Sequence, residues 1–289
     1  MHPPTTEGVA RLHDGRTLGY AVFGAGPRVA LWFHGTPGGR RQVPPAARRF
    51  AHEHGIRVIG IERPGIGDST PHLYDHVRDF ADDVSVLLEQ LSIESCAVVG
   101  LSGGGPYALA CAHALPHVRI CGVLGGVAPS CGPEGVAGGV STLARFAPGI
   151  APVQRPLGAL LSMTIRAAHP IASPGYDLFK RLCREPDREV FEAPGIKPMF
   201  LDDILRGSRS GLRSLLYDYL LFSRPWNFSI AEVRVPVHFW HGDADAFVPL
   251  THGQHQAALA PQSTLTIQPG QSHLGGLMIA DEVLAKLMA

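Results

Sequence analysis

The sequence predicts an α/β protein whose mostly parallel, helix-covered sheet, of the eight-stranded type, is interrupted by a helical insertion. Three observations point there. Short apolar runs rich in β-branched residues alternate with segments of helical period, and the same alternation resumes near the carboxyl terminus. Between the two regular halves lie roughly 100 residues of different character, far beyond the length of a plain loop.

Asp14-Gly15 followed by alternation over residues 18–24 reads as a hairpin turn and its return strand. Residues 29–33 and 56–61 have the short, apolar composition of strands covered on both faces, and residues 40–54 between them have helical character. Val77, Phe80, Ala81, Val84, Leu87, Leu88 and Leu91 recur at helical spacing, a second crossover before a strand at 96–99. A helix over 106–115, a strand over 118–124 and a Gly/Pro-rich break at 125–139 follow. Helix-like pieces at 157–168, 176–183, 199–205 and 212–222 make up the insertion. The second half then supplies strands at 235–240 and 264–268 and helices at 251–259 and 276–288. Connections of this length between strands build a parallel sheet. The expected division is a core formed by residues 1–129 and 229–289, with the insertion at 130–228.

A chain of 289 residues holds one large domain, or a core with an inserted lid. Its 25 basic and 25 acidic side chains cancel, so there is no electrostatic footprint for nucleic acid, and no Lys/Arg block suggests a membrane surface. Small-molecule chemistry is favoured instead. The start, Met1 to Glu7, lacks the basic-then-apolar order of a secretory signal, and no run approaches the ~18 apolar residues of a spanning helix. Five cysteines, an odd number without paired metal-ligand spacing, read as reduced thiols, so a cytoplasmic location is expected. His2, His13, His252 and His255 show no metal-binding spacing either, and no metal or other cofactor is expected.

Chemistry concentrates at the carboxyl ends of the strands, where open α/β sheets bind ligands. Ser102 lies in Gly100-Leu101-Ser102-Gly103-Gly104, between an apolar strand and a helix start. Glycines two before and two after the serine clear a sharp turn, and the helix start directs backbone N–H groups toward charge forming at the hydroxyl. A glycine-rich chain supplies the bare pattern by accident, so the partners carry the inference. Hydrolysis by a serine needs a base, a carboxylate to orient it, and donors for the oxyanion. Asp243 and Asp245 follow the 235–240 strand, and His273 follows the 264–268 strand. The order Ser, Asp, His is that of a known strand-turn-helix arrangement. His34 and His241 are read as shaping loops, and Glu62 as bracing its turn.

Five segments in order carry a resemblance: His34-Gly35-Thr36-Pro37-Gly38, Glu62-Arg63-Pro64-Gly65-Ile66-Gly67-Asp68-Ser69, residues 100–104, residues 242–249, and Gly270-Gln271-Ser272-His273. The chain resembles the α/β-hydrolases of the esterase and peptidase type with a cap domain. The resemblance implies that Ser102 is the nucleophile and His273 the base. Asp245, three residues before Val248-Pro249, is implied as the orienting acid. The backbone N–H groups of Thr36 and Gly103 are implied as the oxyanion hole. It further implies a small-molecule acyl substrate, a small apolar carboxylic ester cleaved through an acyl-enzyme. Amidase, peptidase, thioesterase, carbon–carbon hydrolase and perhydrolase activities use the same triad, and a non-catalytic binding scaffold keeps the same fold. Relatives that open epoxides place aspartate where Ser102 stands, so serine points to acyl chemistry. The His-Gly-Gly-Pro-Gly of proline-releasing peptidases is matched only in part by residues 34–38. In the cap, Leu160, Met163, Phe179, Phe200, Leu215 and Phe222 are among the apolar residues expected either to line an acyl pocket or to pack the cap helices together.

Overall fold

The computed structural model describes residues 2–183 and 185–289; Met1 and Arg184, assigned above to the first core part and the insertion, lie outside them. Its first half runs β1 (Thr6–Arg11), β2 (Thr17–Gly24), β3 (Arg28–Phe33), α1 (Pro45–Glu53), β4 (Ile56–Ile61), α2 (Phe80–Gln90), β5 (Cys96–Leu101), α3 (Gly105–Ala114) and β6 (Val118–Leu124). Helices α4 (Ala147–Ile150), α5 (Gln154–Ala168), α6 (Ala172–Leu182), α7 (Glu185–Glu192), α8 (Ile196–Gly207) and α9 (Arg213–Phe222) follow. The second half adds β7 (Val237–Gly242), α10 (Leu250–Leu259), β8 (Ser263–Gln268) and α11 (Ala280–Met288).

The strands form one sheet of eight in the order β1-β2-β4-β3-β5-β6-β7-β8. β2 pairs antiparallel with both of its neighbours, and every other pairing is parallel. Alternation along β3 divides its side chains between two cores, one on each face of the sheet. Leu31 and Phe33 join α2 and α3 on one face, while Ala30 and Trp32 join α1 and α11 on the other. This double covering is why the strands read as continuous apolar runs.

Three local differences from the sequence expectation have physical causes. The helix expected from residue 40 begins at Pro45, because a proline disfavours helical geometry in the residue before it and suits the first helical position itself. Residues 40–44 are thereby released as a loop. The helical spacing that starts at Val77 enters through a 3₁₀ turn, Val77–Asp79, before α2. Helix α7, rich in acid and bearing few apolar residues, was not anticipated; Val190 and Phe191 supply its buried stripe. All five cysteines are free. Among the described residues, no helix is long and apolar enough to cross a membrane.

Three buried aspartates, one each from α7, α8 and α9, tie the inserted helices to loops at the carboxyl edge of the sheet. Asp187 accepts from Ser272 Oγ (2.7 Å) and Leu274 N–H (3.0 Å). Asp203 accepts from the N–H groups of Gly39 (2.7 Å) and Arg41 (2.9 Å). Asp218 receives Arg63 Nη2 at 2.8 Å, Tyr107 Oη at 2.7 Å and Thr36 Oγ1 at 2.6 Å, and the side chains of Asp218 and Arg63 are each only 2 % exposed. Helices α5 and α6 attach one layer further out. Leu212 N–H donates to Ser162 Oγ, His169 Nε2 meets Ser208 Oγ, and Tyr176 Oη donates to the Phe191 carbonyl.

A buried ion pair is most costly when half of it is removed, since the survivor keeps its desolvation penalty without its partner. Asp218→Ala is therefore expected to destabilise the fold by about 3–5 kcal/mol. Arg63→Met removes the unpaired charge but also the donors to the His34 and Gly35 carbonyls, so the double variant should lose less than the sum of the two single variants, as read by urea unfolding. A single variant as stable as the native chain, or losses that add fully in the double variant, contradicts the role given to the pair.

Candidate active site

Ser102 directly follows β5 with φ +52°, a left-handed backbone that costs a non-glycine residue on the order of 1–3 kcal/mol and that its surroundings must enforce. Those surroundings are packed tightly. A methyl group at Gly100 would collide with the Gly104 carbonyl oxygen and lie 2.7 Å from Gly105 Cα, and one at Gly104 would strike the Phe33 carbonyl oxygen. Strand β3, the turn and the start of α3 close on one another with no space for a side chain at either position.

The expected partners meet there. Ser102 Oγ lies 2.8 Å from His273 Nε2, and His273 Nδ1 lies 2.7 Å from Asp245 Oδ2. A carboxylate accepts only, so Nδ1 carries the proton and Nε2 is left to accept from the serine hydroxyl. Asp245 is buried, and its other oxygen accepts from the N–H groups of Phe247 (2.9 Å) and Val248 (2.8 Å), which fixes the carboxylate beneath the imidazole.

The rival groups make other hydrogen bonds, although His241 Nε2 also lies 3.6 Å from Asp245 Oδ2. Asp243 is exposed and accepts from Gly270 N–H at 2.7 Å. His241 donates from Nε2 to the Val248 carbonyl at 2.7 Å, and burial holds its pKa below the usual range. His34 is wholly buried; desolvation and then the Arg63 charge push its pKa well down, and it spans Gly35 O (2.7 Å) and Arg63 N–H (3.4 Å) as a neutral ring. Glu62 accepts from Asp68 N–H (2.9 Å) and Arg40 (3.1 Å), bracing its turn, with burial raising its pKa to about 8.

Thr36 and Gly103 stand side by side next to Ser102, so close that a methyl group on Gly103 would strike Thr36 Oγ1. The orientation of their N–H groups follows from peptide planarity. The Gly35 carbonyl accepts from Arg63 Nη2 at 2.8 Å, so Thr36 N–H, across the same peptide plane, points away from the guanidinium. The Ser102 carbonyl accepts from Gly105 and Val127 N–H, so Gly103 N–H likewise points away from that side. Gln42 locks the loop by accepting from Gly35 N–H (2.7 Å) and donating to the Pro37 carbonyl (3.1 Å).

Ser102 and His273 open onto a cavity of about 870 Å³ roofed by the inserted helices. Phe179, Phe200, Leu215 and Phe222 line it as one of the sequence alternatives had it. Leu160 and Met163 do not; both lie outside the lining on the outer side of α5, each 59 % exposed. Asp187 and Asp203 are the acids among the described lining residues, and both are already spent on loop hydrogen bonds.

Sequence reasoning missed Gln42, the pairing of Arg63 with Asp218, and the anchors Asp187 and Asp203. One signal was present: Asp218 interrupts the apolar run Leu215-Leu216-Tyr217-Asp218-Tyr219-Leu220-Leu221, and an acid in a buried helix face demands a buried partner.

A model of the "Alpha/beta hydrolase family" matches residues 29–287. Among curated proteins, a proline iminopeptidase of Arabidopsis thaliana is 32 % identical over 117 residues, which cover 39 % of this chain and 30 % of that protein's length. Three solved structures are similar over nearly all of both chains. They are a bromoperoxidase from Bacillus anthracis (TM-score 0.69, 20 % identity, 98 % and 99 % covered), an esterase from Exiguobacterium antarcticum (0.68, 16 %, 100 % of both), and an epoxide hydrolase from Vigna radiata (0.69, 16 %, 98 % and 97 %). At these identities the structures speak for the fold alone. Sheet order, strand-end loops and the family match agree, and the chain belongs to the alpha/beta hydrolase family.

Proposed function

We propose that the protein is a serine hydrolase that cleaves a carboxylic ester with an apolar acyl chain through an acyl-enzyme. The observation that carries the reading is the unbroken hydrogen-bonded chain from Ser102 through His273 to Asp245. Ser102 Oγ attacks the acyl carbon while His273 Nε2 takes its proton. The tetrahedral oxyanion is received by Thr36 N–H and Gly103 N–H, and the alcohol leaves with the proton held by His273. Water, deprotonated by the same imidazole, then attacks the acyl-enzyme and releases the acid. Asp245 holds the ring in the required tautomer and stabilises the transient imidazolium. Ester and water balance the reaction.

Serine at the elbow favours acyl transfer over the alkyl displacement of an epoxide hydrolase, for which a carboxylate is the suited nucleophile. The local match to a proline iminopeptidase favours a second reading, release of an amino-terminal residue. A buried ammonium needs an uncommitted carboxylate, and the acids lining this cavity are committed. The ester reading is preferred on that ground. Residues 130–228 are read as the cap that selects the acyl group, with 1–129 and 229–289 as the catalytic core.

Ser102→Ala is expected to lower turnover of a p-nitrophenyl ester by a factor on the order of 10⁴–10⁶ and to abolish labelling by a fluorophosphonate, with the thermal melt preserved. Native protein that resists the probe would sink the reading. Across p-nitrophenyl esters of increasing chain length, kcat/KM should rise beyond acetate before the cavity is filled. Faster turnover of a prolyl amide than of every ester would instead favour the peptidase.

A further inference from the structure

The outer surface of α5 and α6 is apolar where solvent should meet polar groups. On α5, Gly158 and Ser162 are buried, while Leu157, Leu160 and Met163 lie on the opposite, exposed side. On α6 and the turn before it, Ile171, Leu178 and Leu182 recur at i, i+7 and i+11, which is one helix face, and they are 63 %, 60 % and 77 % exposed. A helix that is apolar on both its inner and its outer side belongs in an apolar environment on both sides. The face also continues inward, since Ile171 and Phe179 are both exposed and part of the cavity lining.

Charge indicates what covers it. Residues 140–182 carry five basic side chains, Arg145, Arg155, Arg166, Lys180 and Arg181, against one acid, Asp177, in a chain whose net charge is zero. Asp177 is bound to Lys197 and Lys180 to Glu192. Arg155, Arg166 and Arg181 are exposed, and among the described residues none of the three is within salt-bridge distance of an acid, although Asp177 feels the Arg181 charge. A second copy of the chain would set like charges against each other across a twofold contact. An exposed apolar face with cations along its margin is instead the chemistry of a surface that lies in an anionic lipid interface. The basic residues are dispersed along the helices, so they form no block in the sequence.

We infer that the outer face of α5 and α6 docks on an anionic lipid bilayer, placing the cavity mouth at Ile171 and Phe179 against the lipid. Binding of this kind does not require turnover, so it stands apart from the hydrolase reading; Ser102→Ala protein should bind as the native chain does.

Co-sedimentation with phosphatidylglycerol vesicles tests it, with phosphatidylcholine vesicles as reference. Native protein should pellet with the anionic vesicles, less with the zwitterionic ones, and be released by salt. Leu160→Glu and Leu178→Glu should each weaken binding about ten-fold. Arg155→Glu and Arg166→Glu should each weaken it about five-fold or more. All four should leave turnover of a short, soluble ester and the thermal melt unchanged. No pelleting with phosphatidylglycerol, or pelleting that none of these variants alters, overturns the inference. So does a concentration-dependent dimer in sedimentation velocity that Leu160→Glu and Leu178→Glu dissociate, which assigns the face to a second copy.

Discussion

The ion pair between Arg63 and Asp218 is the constraint on which most of the site geometry rests. Arg63 follows β4 and Asp218 belongs to α9, so the pair joins residues 155 positions apart and fastens the insertion to the core. The same guanidinium donates to the carbonyls of His34 and Gly35, which sets the peptide planes of the loop beside Ser102. The same carboxylate holds the Thr36 hydroxyl and the Tyr107 phenol. One buried charge pair thereby orients a loop from β3, a side chain from α3 and a helix of the insertion. Its desolvation is offset by a full set of hydrogen bonds, the condition under which such a pair persists inside a protein.

The sheet supplies a second, purely steric constraint. β3 and β5 are neighbours in the parallel register, so the turn after β5 must pass directly over the end of β3. Gly100 and Gly104 are needed because backbone from the opposite side already fills the space of a side chain. Ser102 is held at positive φ by this crowding, which presents its hydroxyl to His273.

Much of this was legible in the residues. The strands were readable because burial on both faces leaves continuous apolar runs, as in β3 and β5. Ser102, Asp245 and His273 were readable because each follows a strand, where the chain leaves the sheet. What escaped was set by pairing across long separations. Nothing near Arg63 indicates that its partner is Asp218, nor does the sequence around Asp187 point to the loop of Ser272 and Leu274. Helix α7 escaped for a related reason: its acids suggest solvent, whereas Asp187 is buried at its far contact. Leu160 and Met163 were misplaced among the alternatives because α5 is apolar on two sides, and periodicity alone does not say which side turns inward.

The two-tier attachment of the helices between β6 and β7 divides what a substitution there can disturb. Helices α7, α8 and α9 hold the loops that carry His273, Gly39 and Thr36, so a change in their buried acids disturbs the loops around Ser102 directly. Helices α5 and α6 are tied to α7, α8 and α9 or the turns beside them through Tyr176, His169 and Ser162. Ile165 of α5 and Phe179 of α6 face the cavity. All five helices contribute cavity wall, but anchorage of the loops is carried by α7, α8 and α9, so the outer pair can change in shape while those loops keep their buried acceptors.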